Sequence, residues 1–135
     1  MSLFLHSLFA YSTIFLNFLA AILYALNYII LKDERVLKYA IVFHGVSVVT
    51  SVFAAINGLY VSNIPLVASK LPFIWGFPHK WNGLFLSLVN LVTFALVWLK
   101  REALGRKLLY ISILLILLLF LQTLTGWMIK LVFFA

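Results

Sequence analysis

Few side chains in this sequence have chemistry to offer. There are three histidines, His6, His44 and His79, and three carboxylates, Asp33, Glu34 and Glu102. Each carboxylate lies among Lys and Arg residues, away from the histidines, so no carboxylate pair, nucleophile triad or phosphate loop can be assembled. Cysteine is absent, which excludes disulfides, thiolate zinc sites, iron–sulfur clusters and covalently attached haem c. What remains is neutral imidazole, which can ligate a metal, relay a proton or simply hydrogen-bond.

The elements that must position these histidines are apolar. Hydrophobic residues make up 66% of the 135 residues and charged residues 10%, where soluble domains have about 45–50% and about 25%. A soluble fold of this length cannot hide so much apolar surface, whereas lipid is itself a solvent for it. Four segments reach the roughly 20 apolar residues that cross a bilayer as helix: 4–31, 36–61, 81–99 and 107–133. The expected fold is an all-α, up-down-up-down bundle of four transmembrane helices forming a single domain over 1–135. The stretch from Ser62 to Lys80 holds all three prolines and reads as an interfacial loop. No Lys or Arg precedes the first apolar run and no small-residue cleavage site precedes a soluble domain, so a cleaved signal peptide is not expected.

The formal charge of +7 does not point to nucleic acid, because the basic residues fall in the gaps between apolar runs rather than in an aromatic-interleaved stripe. They report direction instead. Lys32, Arg35, Lys38, Lys100, Arg101, Arg106 and Lys107 flank the first and third connections, against only Lys70, Lys80 and Lys130 on the other side. This bias predicts a multi-pass protein of the plasma membrane with both termini and the 62–80 loop extracytoplasmic.

Polar and small residues recur at alternating steps of four and three, the period of a left-handed bundle seam. On the first span these are His6, Ala10, Thr13, Asn17, Ala20, Tyr24 and Asn27; on the second, Ala40, His44, Ser47, Ser51, Ala54 and Gly58. The third offers His79, Gly83, Ser87 and Asn90, and the fourth Ser112, Leu115, Leu119, Gln122 and Gly126. Most such residues are packing and hydrogen-bond glue, with Asn17, Asn90 and Gln122 expected to bond one another near mid-membrane. Trp75, Trp81, Trp98 and Trp127 fall near the expected interfaces, as an aromatic belt does.

His6 and His79 open the first and third spans at one depth, on helices that lie diagonally across an up-down-up-down bundle. Two facing imidazoles there match the axial ligands of haem b, with Gly58, Gly83 and Gly126 at the same depth giving room for a flat group. His44 lies about 20 Å away along the bundle axis. It is expected to be a neutral imidazole hydrogen-bonded to Asn27, Tyr24 or a backbone carbonyl, with a proton relay or a quinone contact as its functional alternatives.

The pattern resembles a family of small prokaryotic four-helix membrane proteins catalogued as a domain of unknown function. In that family the first helix opens His-Pro-x-x-x-His-Phe-Pro. Here His6-Ser7-Leu8-Phe9-Ala10-Tyr11-Ser12-Thr13 keeps the first histidine, has Tyr11 in place of the second, and lacks both prolines. The second helix ends Ala54-Ala55-Ile56-Asn57-Gly58, the third opens His79-Lys80-Trp81-Asn82-Gly83, and the fourth closes Gly126-Trp127-Met128-Ile129-Lys130. More loosely, the arrangement is similar to the four-helix haem b anchors of respiratory enzymes. The resemblance implies the bundle fold and draws attention to His6 and His79.

The expected function is that of a cytochrome b-like membrane subunit of an electron-transport complex of the respiratory chain, exchanging electrons with quinone or a partner subunit. Whether it is an enzyme is left open, an electron-transfer or accessory subunit being expected rather than an enzyme by itself. The rival expectation is a cofactor-free accessory subunit packed in a larger membrane complex. A small transporter or channel is disfavoured by the scarcity of intramembrane charge and the absence of broken helices. The expected orientation is checked by cysteine labelling. A cysteine introduced by Ser69→Cys should react with an impermeant reagent added to intact cells, and one introduced by Gly105→Cys should not; the reverse pattern would invert the topology.

Overall fold

The computed structural model describes residues 3–134. Helix α1 (Leu3–Leu26) ends in a π-helical turn, Asn27–Leu31; α2 spans Glu34–Ser62, the short α3 Pro65–Lys70, α4 Phe73–Lys100 and α5 Lys107–Phe134. Among the described residues there is no strand. Four helices are long and apolar enough to cross a membrane: Leu3–Leu31, Glu34–Ser62, Phe73–Ala103 and Lys107–Phe133. Their outward surfaces are apolar, Phe15, Phe73, Leu99 and Phe120 being largely exposed, as lipid-facing side chains are. The helices pack α1 on α2, α2 on α4, α4 on α5 and α5 on α1, which leaves α1 diagonal to α4 and α2 diagonal to α5.

The third span starts earlier than the sequence predicts. Phe73–Lys80, expected as loop, forms the first two turns of α4, with Pro78 inside the helix, and Pro65 begins α3. Pro65 stands at the first position of α3, where an N–H has no intrahelical acceptor, whereas Pro78, the sixth residue of α4, forgoes the bond to the Ile74 carbonyl one turn back. The entry is fixed by Trp75 and Gly76 N–H groups donating to the Pro72 carbonyl at 3.1 and 2.8 Å.

The two short connections are tightly built. At the first, the Lys32 N–H closes on the Asn27 carbonyl at 2.8 Å and the Asp33 N–H donates to Asn27 Oδ1 at 2.9 Å. Asp33 then caps α2 by accepting from the Arg35 N–H at 2.8 Å. Lys32 adopts the left-handed conformation (φ 46°), as helix ends require. At the second connection Gly105 takes the left-handed turn (φ 47°) and the 3₁₀ turn Arg101–Ala103 precedes it. Arg106 is raised above its ordinary pKa by hydrogen bonds to the hydroxyls of Tyr28 and then Tyr110, which ties the two connections together. The ion pair Glu34–Lys38 (3.3 Å) is fully solvent-facing and contributes little.

The two halves of the bundle differ in character. At the end holding these connections lies a dry core of Ala20, Ala21, Leu37, Ala40, Ile41, Val97, Leu104, Leu108, Ile111 and Leu115. The end holding the chain termini and α3 carries the polar side chains and a cavity. Asn27 anchors the first connection with both its carbonyls, so Asn27→Ala should lower unfolding free energy by about 1–2 kcal/mol, measured by reversible denaturation in detergent.

Candidate functional site

The cavity, of about 320 Å³, lies between α1, α2, α4 and α5 at the termini end and is lined by His6, His79, Gly58, Gly83, Gly126 and Gln122 among mostly apolar neighbours. Its size is that of a small-molecule site. Lys80 and Lys130 also line it, and both are solvent-exposed. Lys130 Nζ donates to the Tyr11 hydroxyl and lies 4.8 Å from the centre of that ring.

The seam periodicity brings His6 from α1 and His79 from α4 to the same level, across the diagonal. Their ring centroids are 6.4 Å apart and their planes 80° to each other. Hydrogen bonds fix both tautomers. His6 Nδ1 is 3.0 Å from the Ala54 carbonyl, which can only accept, so Nδ1 carries the proton. His79 Nδ1 is 3.0 Å from Thr125 Oγ1. That hydroxyl gives its own hydrogen to the carbonyl of Leu121 (2.9 Å) or Gln122 (3.1 Å), so it accepts from His79. Each ring therefore keeps Nε2 as its lone-pair atom, oriented by a bond at Nδ1, the arrangement typical of ligating histidines. Gln122 occupies His79 Nε2 weakly, its Nε2 at 3.3 Å, while its Oε1 accepts from Asn82 Nδ2 at 2.8 Å.

The glycines act more directly than spacing alone conveys. A Cβ on Gly58 would meet His6 Cε1 at 3.0 Å, one on Gly126 would meet His79 Cε1 at 3.0 Å, and one on Gly83 would meet Gln122 Nε2 at 2.9 Å. Each glycine seats the ring or amide across from it, and all three also line the cavity.

His44 stands apart, fully buried in the middle of the bundle. Its Nε2 donates to the Asn90 carbonyl at 3.2 Å, and its Nδ1 accepts from the Tyr24 hydroxyl at 2.9 Å. Both nitrogens are used inside the protein, leaving no lone pair for a ligand. Tyr24 and a backbone carbonyl are among the partners expected; Asn27 instead serves the first connection.

The amides correct the expectation that Asn17, Asn90 and Gln122 bond one another. Gln122 pairs with Asn82 and His79, Asn90 Nδ2 donates to Ser47 Oγ at 3.1 Å, and Asn17 has no hydrogen-bond partner. Sequence reading also missed Asn82 and Thr125. Thr125 lies one residue before Gly126, off the four-three stepping. Its signal was available: it is the hydroxyl on α5 next to the glycine that faces His79.

Among the described residues no group of three or more His, Cys, Asp or Glu could hold a metal ion. A bare cation would thus be short of ligands at the histidine pair, whereas a porphyrin supplies its own ring of nitrogens and asks the protein only for axial ones. The donor type and the tautomers of His6 and His79 are those such a group takes, and Lys80 and Lys130 are the cations lining the cavity. No protein-family model, curated protein or solved structure matches this chain.

His44→Ala would leave the buried Tyr24 hydroxyl without an acceptor and should cost about 1–3 kcal/mol in detergent unfolding. His44→Gln, which can still bond at that depth, should recover most of that loss.

Proposed function

We propose that this protein is the haem b-binding membrane subunit of an electron-transfer complex of the respiratory type, with quinone or a partner subunit as its redox partner. The observation that carries this reading is the pair His6 and His79. The two imidazoles come from diagonal helices with ring centroids 6.4 Å apart, each with its proton on Nδ1, in an apolar cavity. Two neutral imidazoles that close, from opposite sides of one cavity, would serve as the two protein donors of a haem iron.

On this reading His6 and His79 would hold the iron through Nε2, while the Ala54 carbonyl and the Thr125 hydroxyl keep the rings turned. Gly58 and Gly126 leave the clearance in which the two rings sit, and Gly83 that of the Gln122 amide, which would have to leave His79 Nε2 for that atom to bind iron. Lys80 and Lys130 take the carboxylates at the mouth, and the surrounding apolar side chains exclude water. Haem b, when bound, supplies reversible one-electron chemistry. With the charge bias across the connections, the cavity faces the extracytoplasmic side of the plasma membrane.

One observation favours the alternative of a cofactor-free accessory subunit: the Gln122 amide already sits on His79 Nε2. A reduced-minus-oxidised absorption spectrum of protein expressed with ample haem and purified in mild detergent separates the two. The expected result is a low-spin Soret and α band, converted to a high-spin or empty protein by His6→Ala or His79→Ala. Gly83→Leu should reduce loading, and His44→Gln should leave the spectrum unchanged. Absence of a Soret band in the unsubstituted protein would overturn the haem reading in favour of the accessory subunit.

A further inference from the structure

Beneath the histidine cavity lies a second polar layer. The cavity floor includes Thr13, Ser51 and Ser87. These set the local register: Thr13 Oγ1 donates to Thr50 Oγ1 at 2.8 Å and Ser87 Oγ to the Ser51 carbonyl at 3.1 Å. One turn further in, the same register brings Asn17 level with Ser47, to which Asn90 is bonded. Leu115, fully buried, closes the fourth side.

Asn17 and Asn90 are both fully buried. Asn17 Nδ2, Asn17 Oδ1 and Asn90 Oδ1 have no protein partner. In a lipid-surrounded bundle an unmet polar group is costly, and the lipid offers it no partner. The unmet set is one donor and two acceptors. A cation would leave the Asn17 N–H groups unmet, and an anion would leave both carbonyl oxygens unmet. Water, which both donates and accepts, answers all three, and two to four polar partners are what buried water requires.

We propose that Asn17 and Asn90 hold a buried water site that continues the histidine cavity to the middle of the bundle, forming a hydrated half-channel. It ends at Ser47, which donates to the His44 carbonyl at 2.7 Å, and at the Tyr24–His44 pair. Beyond that pair the dry core closes the bundle. Water thereby reaches mid-membrane from the termini end only. The half-channel does not depend on haem.

Water-edited solid-state NMR of the full chain in lipid bilayers, with [¹⁵N]asparagine, tests this directly. Six asparagine side chains report, and Asn63 is the exposed reference. The Asn17 side-chain amide is expected to receive magnetisation from water at a rate near that of Asn63; a dry Asn17, silent while Asn63 responds, would overturn the site. Thermal unfolding gives an independent sign. Asn17→Leu should lower the midpoint, since the water loses partners and Asn90 Oδ1 is left alone, whereas a raised midpoint would show a merely unpaired amide and overturn the proposal. Should Asn17→Leu fail to fold, the spectrum of the unsubstituted protein decides.

Discussion

In a hydrocarbon solvent a polar group that finds no partner inside the protein finds none at all, and the arrangement of this bundle follows from that constraint. The backbone meets it by being helical almost throughout. The side chains meet it by local return bonds, in which Ser, Thr and Asn hydrogens go to carbonyls three or four residues back, as at Ser51, Asn57, Ser112 and Thr123. Other bonds run between helices, among them His6 to the Ala54 carbonyl, Thr13 to Thr50, Tyr24 to His44, His44 to the Asn90 carbonyl, Asn90 to Ser47, Ser87 to the Ser51 carbonyl, Asn82 to Gln122 and His79 to Thr125, and these act as rungs that fix the register of the packing.

These rungs concentrate toward one end, and packing explains why the other end has fewer. Ala20, Ala21 and Ala40 let helices approach closely, and the Leu, Ile and Val side chains around them fill the space. Close packing of that kind needs no polar glue. At the termini end, three glycines replace side-chain volume with the clearance that two imidazoles and an amide occupy, so the space there is shaped by rings instead of methyl groups.

Much of the scaffold is legible from sequence because lipid makes the apolar pattern nearly deterministic. The four spans follow from run length alone. Burial of Thr13, Asn17, Ala20 and Tyr24 on one line of α1, and of Asn27 in the π-helical turn that ends it, follows from the four-three stepping. The start of α4 is not legible, because Pro78 argues for a loop and the helix runs through it at the loss of one backbone bond. The partners of the histidines are only half legible. Periodicity tells which residues face inward, but the acceptor for His6 is a main-chain carbonyl, at Ala54, and carbonyls have no letter in the sequence. The pairing of Asn82 with Gln122 in place of Asn17 with Asn90 depends on an axial register that composition does not encode.

The two short connections have one more consequence. Each joins antiparallel neighbours, α1 with α2 and α4 with α5, so the chain is two helical hairpins joined through α3. Contacts within a hairpin close short loops, and in lipid such pairs can form before helices distant in sequence meet. His6 and Gly58 belong to the first hairpin; His79, Gly83 and Gly126 belong to the second. The histidine cavity therefore exists in neither half alone. It comes into being only where the hairpins dock, so any occupant touching both histidines would clasp the two halves of the chain together.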